Sequence, residues 1–161
     1  MAHSMIVLRR RLFLMVAALF VVAPLYAQNA PAVTLMKPGD AKLNLNTTPT
    51  DAFLAVPNAG PRMAHEFDEY RPYISILQFR KEIGKYVDAD KVAAFEQFVF
   101  VPIKVDACDA ATLQQIPGVD EAKAQALIQG RPYGSNDAFL KALTGHVSAE
   151  EVAVARTYLE N

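Results

Sequence analysis

The sequence predicts an all-α fold made of two tandem copies of a four-helix unit packed together. The main observation is an internal duplication, because the segment from Val56 to Tyr73 recurs from Ile116 to Tyr133, 60 residues later. Apolar positions elsewhere keep the same offset without a gap, as in the pairs Leu43/Ile103, Phe79/Phe139 and Val92/Val152. A long ungapped match at one fixed period is typical of a repeated structural unit.

Residues 1–27 have the pattern of an export signal. Arg9-Arg10-Arg11 precedes an apolar run from Leu12 to Val22, and this order is typical of a secretory signal peptide. Cleavage is predicted at Ala27 or at Ala32, which places the protein in the periplasm or another extracytoplasmic space. An uncleaved membrane anchor is the alternative, although the apolar run is short against the roughly 20 residues that cross a bilayer.

Export changes the charge of the protein. The whole chain has 16 basic and 17 acidic residues, and loss of the three signal arginines leaves 13 against 17. A mildly acidic protein has no general attraction for phosphate or anionic lipid. Cys108 is the single cysteine, so the chain forms no internal disulfide. We expect it to be a part-buried structural residue, with a free thiol or an intermolecular link as the alternative.

The predicted domain order follows from the signal and the duplication. A lead over 28–42 contains two prolines and a glycine and is predicted to be flexible. The first repeat then covers 43–102 and the second 103–161. The junction is apolar, whereas a flexible linker would be polar and rich in glycine or serine. We therefore expect Phe100, Val101 and Ile103 to pack in a seam between the repeats.

Each repeat is predicted to hold four short helices after an extended lead-in. The first helix ends near Ala55, and a tight hairpin follows it. Pro61 opens the second helix, which ends at Arg71 because the residue before a proline avoids the helical region. Val92, Phe95 and Val99 are expected on the apolar face of the fourth helix. The predicted N-caps are, in chain order, Thr48, Ser75, Asp88, Asp109, Asp120, Ser135 and Ser148.

Three features of the first repeat together resemble a known family. They are Leu43-Asn44-Leu45-Asn46-Thr47, the hairpin Pro57-Asn58-Ala59-Gly60 and the turn Tyr70-Arg71-Pro72-Tyr73. They resemble the helix-hairpin-helix domain of ComEA-like exported DNA receptors, and the resemblance covers about 43–159 as two copies. It implies that each repeat is a paired helix-hairpin-helix unit. It also implies a non-catalytic binding module, which in most relatives holds the backbone of duplex DNA.

The resemblance implies a set of phosphate-binding residues, in which glycines admit the nucleic acid and free N–H groups of the next helix hold a phosphate oxygen. These candidates are Asn58, Ala59, Gly60, Pro61 and Arg62 in the first hairpin and Gly118 and Val119 in the second. Each hairpin has one glycine fewer than the family pattern of glycine, hydrophobic residue, glycine. In the second, Asp120 and Glu121 place carboxylates where a phosphate would sit.

Few other cations are available for DNA. Arg80, Lys81 and Lys85 form the one candidate basic patch, for which a solvated helix face is the alternative. The first repeat has six basic and eight acidic residues, and nonspecific DNA binding needs several cations on phosphates at once. Arg71 and Arg131 are expected to cap carbonyl groups and lie on aromatic rings. Tyr73 and Tyr133 are then packing residues, and exposed stacking platforms are the alternative.

No enzyme is predicted, since His65 and His146 lie outside metal-ligand spacings and no catalytic nucleophile is recognisable. No metal, cofactor or small-molecule substrate is expected. Two function classes remain. One is an exported scaffold with a protein partner at or near a membrane complex, similar to PsbU-like extrinsic helix-hairpin-helix proteins. The alternative is ComEA-like DNA binding, in DNA uptake, through the first hairpin. Acidic charge, altered hairpins and export together favour the protein partner.

Overall fold

Short helices dominate residues 33–160, the part of the chain that the computed structural model describes. The predicted signal and its cleavage sites lie outside these residues, and none of the helices within them is long and apolar enough to cross a membrane. The predicted all-α class is confirmed. In chain order the elements are β1 (Leu43–Asn44), a 3-10 helix (Thr50–Ala55), α1 (Pro61–Glu69), α2 (Ile76–Ile83), α3 (Ala89–Phe95), β2 (Val99–Phe100), α4 (Ala110–Leu113), α5 (Glu121–Gln129), α6 (Asn136–Leu143), α7 (Ala149–Ala155) and a second 3-10 helix (Arg156–Tyr158).

Six of the seven predicted N-caps are confirmed. In each of them a side-chain oxygen accepts a hydrogen bond from the backbone N–H three residues later, and this bond is worth about 1 kcal/mol. The six caps are Ser75, Asp88, Asp109, Asp120, Ser135 and Ser148. Thr48 is the exception, since the first helix is a 3-10 helix from Thr50 with no side-chain cap. The Thr48 carbonyl oxygen instead accepts a hydrogen bond from Arg71.

The lead-in of each half pairs with the chain that ends that half. β1 and β2 form a two-residue parallel pair in which Leu43 lies opposite Val99. Ile103 forms a parallel bridge with Leu159. These two residues lie 60 positions after Leu43 and Val99, respectively. The prediction that Val99 belongs to the fourth helix is wrong, because α3 ends at Phe95 and the backbone of Val99 is extended. Val99 is nevertheless buried.

The first hydrophobic cluster is centred on the ring of Phe67. Phe53, Phe79 and Phe95 surround it with ring centroids 5.4, 5.6 and 5.4 Å away. All four side chains are almost fully buried. The contacts with Phe53 and Phe95 are edge-to-face, and such contacts add about 0.5–1.5 kcal/mol each to the hydrophobic burial. The cluster therefore holds the first 3-10 helix, α1, α2 and α3 against one another.

The second cluster is aliphatic at the corresponding position. Leu127 replaces the central phenylalanine, and it is buried with Leu113 and Phe139. Tyr133 packs edge-on against Phe139 at 5.2 Å. The two clusters thus use different side chains at positions that the 60-residue offset relates.

The junction between the halves is buried, as predicted. Val101 belongs to the first cluster, whereas Phe100 and Ile103 belong to the second. Hydrogen bonds also cross it. The Ile76 N–H donates to the hydroxyl oxygen of Thr112 at 2.9 Å, and the Val101 N–H donates to the Gln115 side chain at 2.9 Å. A buried backbone N–H group without a partner would lower the stability of the fold by about 1–3 kcal/mol, and these two hydrogen bonds avoid that loss.

The described end of the lead makes specific contacts. The N–H of Met36 donates to the carbonyl oxygen of Ala55 at 2.7 Å. Lys42 Nζ donates to the Glu96 carbonyl oxygen at 2.6 Å, and partial burial lowers the pKa of Lys42. These contacts place residues 36–42 along the first half of the molecule.

Candidate functional site

The first hairpin makes its turn without a glycine at its leading position, Asn58. Asn58 has a φ of 65°, while Gly60 has a φ of −64° and serves as the N-cap of α1. Asparagine tolerates the left-handed region better than most residues, so the turn survives the replacement. Ala59 between them is buried and anchors the hairpin to the first cluster.

The helix that follows the first hairpin begins without a cap. Gly60 has no side chain, Pro61 has no N–H group, and no side chain caps α1. Among residues 33–160, the N–H groups of Arg62 and Met63 have no acceptor. A Cβ added to Gly60 would meet nothing within 4 Å. The backbone of this hairpin is therefore open to solvent.

A pocket of about 370 Å³ lies beside the opening, between the first hairpin and the α2–α3 turn. It is lined by Gly60, Arg62, Met63, Lys85 and Tyr86. The guanidinium carbon of Arg62 lies 5.9 Å from the centroid of the Tyr86 ring, a distance at which the cation is attracted to the ring face. We call this site the Arg62 pocket.

Two tyrosines join the walls of the Arg62 pocket. The hydroxyl groups of Tyr70 and Tyr86 are 2.7 Å apart, and this hydrogen bond raises the pKa of Tyr86. Lys85 Nζ lies 4.9 Å from the centroid of the Tyr70 ring and is paired with Glu82. The hydrogen bond to Glu82 raises the pKa of Lys85. Lys85 is thus already paired with a carboxylate, whereas Arg62 has no such partner among residues 33–160.

The second hairpin is closed by its own side chains. Gly118 takes a φ of 78°, and Val119 is buried. Asp120 Oδ1 accepts a hydrogen bond from the Lys123 N–H at 2.9 Å, while Lys123 Nζ folds back onto the Gly118 carbonyl oxygen at 2.6 Å. A carboxylate therefore already occupies the start of α5, as an N-cap does.

A further carboxylate lies against the second hairpin. A Cβ built on Gly118 would overlap the side-chain carboxylate of Glu151. At Gly60 of the first hairpin, none of the residues that the structure describes lies within 4 Å of an added Cβ. The two hairpins, although related by the 60-residue offset, thus present opposite electrostatic environments.

The candidate basic patch is largely paired with carboxylates. Arg80 donates two hydrogen bonds to Glu96, at 2.7 and 2.8 Å, and this pairing raises the pKa of Arg80. The Lys81 side chain is 78% exposed, and its Nζ lies 4.0 Å from the Glu82 carboxylate. Glu82 also binds Lys85. Arg80, Lys81 and Lys85 therefore face two carboxylates on the same surface.

Arg71 and Arg131 act within the fold. Nε of Arg71 donates to the Leu45 carbonyl oxygen, and its guanidinium carbon lies 5.2 Å from the Phe53 ring centroid. Arg131 repeats the bond to the Val105 carbonyl oxygen at 2.8 Å. These carbonyl groups belong to the lead-in of each half and not to the helix that precedes each arginine. Tyr73 is buried, and burial raises its pKa, so the prediction that it packs is confirmed.

Cys108 is buried, as expected. Arg131 Nη2 lies 3.0 Å from its sulfur, and burial raises the pKa of the thiol. Its partner position in the first half is Thr48, where Nη2 of Arg71 donates to the backbone carbonyl oxygen and not to the side chain. The cysteine therefore completes the arginine contact of the second half.

Sequence reasoning missed Tyr70 and Tyr86 as members of a site. Their side chains meet although they are 16 residues apart, because the α2–α3 turn folds back beside α1. Within residues 33–160 no group of three or more His, Cys, Asp or Glu side chains is arranged to hold a metal ion. In comparisons with known proteins, no protein-family model matches the chain, nor does any curated protein or solved structure.

Proposed function

We propose that the protein is a non-enzymatic, exported interaction module built from two helix-hairpin-helix-like repeats. Its partner is a protein at or near a membrane complex, and it needs no cofactor. The closure of the second hairpin by Asp120 carries this proposal. A carboxylate that caps α5 also repels a phosphate, so the two hairpins do not form a matched pair of DNA-binding loops.

Several pairs of contacts, each related by the 60-residue offset, support the tandem repeat. Leu43 pairs with Val99 as Ile103 does with Leu159, and Ser75 caps its helix as Ser135 does. Arg71 and Arg131 bind carbonyl groups that are also 60 residues apart. Contacts that recur at one period over both halves are the structural counterpart of a sequence duplication.

The balance of charge supports a protein partner over DNA. Arg80 and Lys85 are paired with Glu96 and Glu82, so that within the part of the chain that the structure describes Arg62 is the cation beside the first hairpin that has no ion-pair partner. Each neutralised phosphate contributes roughly −0.9 to the slope of log affinity against log salt. One arginine therefore gives far less duplex affinity than the six to ten or so contacts of an ordinary DNA-binding protein.

Location outside the cytoplasm is part of the proposal and rests on residues 1–27. Their basic start and apolar run favour a signal peptide over an uncleaved anchor. The compact unit that begins at Val33 has its own hydrophobic core. N-terminal sequencing of the exported protein tests the cleavage at Ala27 or Ala32.

ComEA-like DNA binding through the first hairpin is the second candidate function. The uncapped start of α1 favours it, because free N–H groups next to Arg62 are what a phosphate oxygen requires. In this case Asn58, Ala59, Gly60, Pro61 and Arg62 contact the backbone, and Gly118 and Val119 contribute little.

Titration of residues 28–161 with a short DNA duplex, from low to physiological salt, separates the two functions. The interaction module shows no binding even at low salt. Micromolar binding that weakens with salt and is lost in Arg62→Glu would establish the DNA function instead. Lys141→Glu is the matched control, since it makes the same charge change on an exposed face of α6.

A further inference from the structure

The residues around the Arg62 pocket have no counterparts in the second half. The 60-residue offset relates Arg62 to Ala122, Tyr70 to Gly130, Lys85 to Gly145 and Tyr86 to His146. The second half folds around the same plan of helices without them. These four side chains are therefore not part of the plan that the two halves share.

The residue types that line the Arg62 pocket are those found at the centre of protein–protein interfaces. Arginine, tyrosine and methionine are enriched where protein partners bury their central contacts. Arg62, Tyr86 and Met63 line the pocket together with Gly60, while Tyr70 is bonded to Tyr86 at its edge. The rigid aromatic rings hold two faces of the site at little cost in side-chain entropy.

Arg62 is the unsatisfied group in this site. Among residues 33–160 its guanidinium makes no hydrogen bond or ion pair, and its contact is the Tyr86 ring at 5.9 Å. A guanidinium held against a ring keeps its planar fork of N–H donors free, and that fork matches the two oxygens of a carboxylate. After the hydrogen bond to Tyr70, the nearby Glu66 carboxylate also raises the pKa of Tyr86, and no ion pair joins Glu66 to Arg62 within residues 33–160.

We propose that the Arg62 pocket binds one carboxylate side chain, an aspartate or glutamate flanked by apolar residues, on the protein partner. The inference rests on the proposed interaction function and names its contact site. The carboxylate takes the fork of Arg62, and the apolar neighbours cover Met63 and the Tyr86 ring. One charge-assisted bidentate pair is enough for a contact of this kind, whereas a duplex needs a row of cations.

The acidic surroundings favour an isolated carboxylate over a polyanion. Asp68 and Glu69 follow Glu66 on α1, and Glu82 lies beside Lys85. A phosphate backbone that continued along α1 would pass these carboxylates, of which Asp68 is paired with Arg71. A single carboxylate between apolar residues would contact Arg62 and leave them in solvent.

The test is a titration of isotope-labelled residues 28–161, followed by amide NMR shifts. The probe is the peptide acetyl-Ala-Leu-Glu-Leu-Ala-amide, and the control peptide has glutamine in place of glutamate. We expect saturable shifts around Arg62, Met63 and Tyr86 with a Kd near 1 mM, about the affinity of one small contact. We expect the glutamine peptide to bind at least about fivefold more weakly.

Two substitutions locate the binding. Arg62→Ala is expected to weaken the glutamate peptide at least about fivefold, and Arg62→Lys to weaken it severalfold because lysine lacks the fork. Lys141→Ala, with the same loss of charge, is expected to leave the Kd unchanged. Equal effects of Arg62→Ala and Lys141→Ala, or equal binding of the glutamine peptide, would overturn the site.

The outcomes also separate this site from the proposed function. If neither the glutamate peptide nor a DNA duplex binds, the Arg62 pocket is rejected while the interaction module stands with a partner elsewhere. If a DNA duplex binds and Arg62→Ala abolishes that binding, both the pocket's carboxylate ligand and the interaction function are rejected.

Discussion

Nε of Arg131 donates a hydrogen bond to the carbonyl oxygen of Val105 at 2.8 Å. The bond ties the turn after α5 to the lead-in of the second half, 26 residues earlier. Arg71 makes the same connection to Leu45 and adds a second one to the Thr48 carbonyl oxygen at 2.5 Å. Each half is thus closed by an arginine that reaches backbone oxygens far away in sequence.

Removal of either arginine is expected to destabilise the protein. A hydrogen bond from a charged group contributes about 1.5–3 kcal/mol, so Arg131→Ala should lower the free energy of unfolding by about 2 kcal/mol. Arg71→Ala should lower it further, since Arg71 binds two carbonyl groups and the Phe53 ring. Urea denaturation measures both changes.

Arg156 provides the control for these arginine substitutions. It is 66% exposed at its side chain and pairs with the exposed Asp137, and such surface pairs are worth about 0–1 kcal/mol. Arg156→Ala should therefore change the urea midpoint little. Midpoints for Arg131→Ala and Arg156→Ala that coincide would contradict the structural role of Arg131.

The cap at Asp120 is expected to stabilise α5. Asp120→Ala removes the acceptor of the Lys123 N–H and should cost about 1 kcal/mol of unfolding free energy. Asp120→Asn keeps a side-chain oxygen at the same position and should cost less than half as much. Thermal unfolding of the three proteins at neutral pH tests this order, and an alanine variant as stable as wild type would refute it.

Stability should fall in acid through Asp106. Its carboxylate accepts hydrogen bonds from the Tyr133 and Gly134 N–H groups at 2.7 and 2.9 Å, and these bonds lower its pKa. A lowered pKa in the folded state means that this stabilisation is present above the unfolded pKa of about 3.9. It is lost as the pH falls through the lower folded value.

Asn46 provides the comparison for this pH dependence. It occupies the corresponding position of the first half and accepts the Tyr73 N–H at 2.8 Å with an amide that does not titrate. Asp106→Asn should therefore flatten the dependence of unfolding free energy on pH between about 2 and 5. Curves of the same slope for wild type and variant would rule out Asp106 as a source of acid sensitivity.

The aromatic cluster predicts a difference between buried and exposed positions of the first half. Phe67→Ala removes a ring that contacts three others and should cost about 3–5 kcal/mol. Leu77→Ala removes a side chain that is 50% exposed and should cost well under 1 kcal/mol. Denaturant unfolding gives both values, and a loss below 1 kcal/mol for Phe67→Ala would contradict its central place.

Local features of this fold could be predicted from the sequence. Ser75, Asp120 and Ser148 cap their helices through bonds to backbone groups three residues away, so the residues that decide each cap are neighbours in the chain. The burial of Phe53, Phe67 and Phe139 follows equally from their spacing on helices. The N-caps and the buried phenylalanines can therefore be predicted from residue type and spacing alone, without knowledge of how the helices pack.

The sequence alone determined the all-α class, the 60-residue duplication and most helix starts, because these depend on contacts within one turn and on apolar periodicity. Only the tertiary structure decided that Val99 lies in a strand, that Arg71 binds Leu45 and that Tyr70 meets Tyr86. Each of these contacts joins residues 16 or more positions apart. Their partners are chosen by how the helices pack, and no local pattern records that choice.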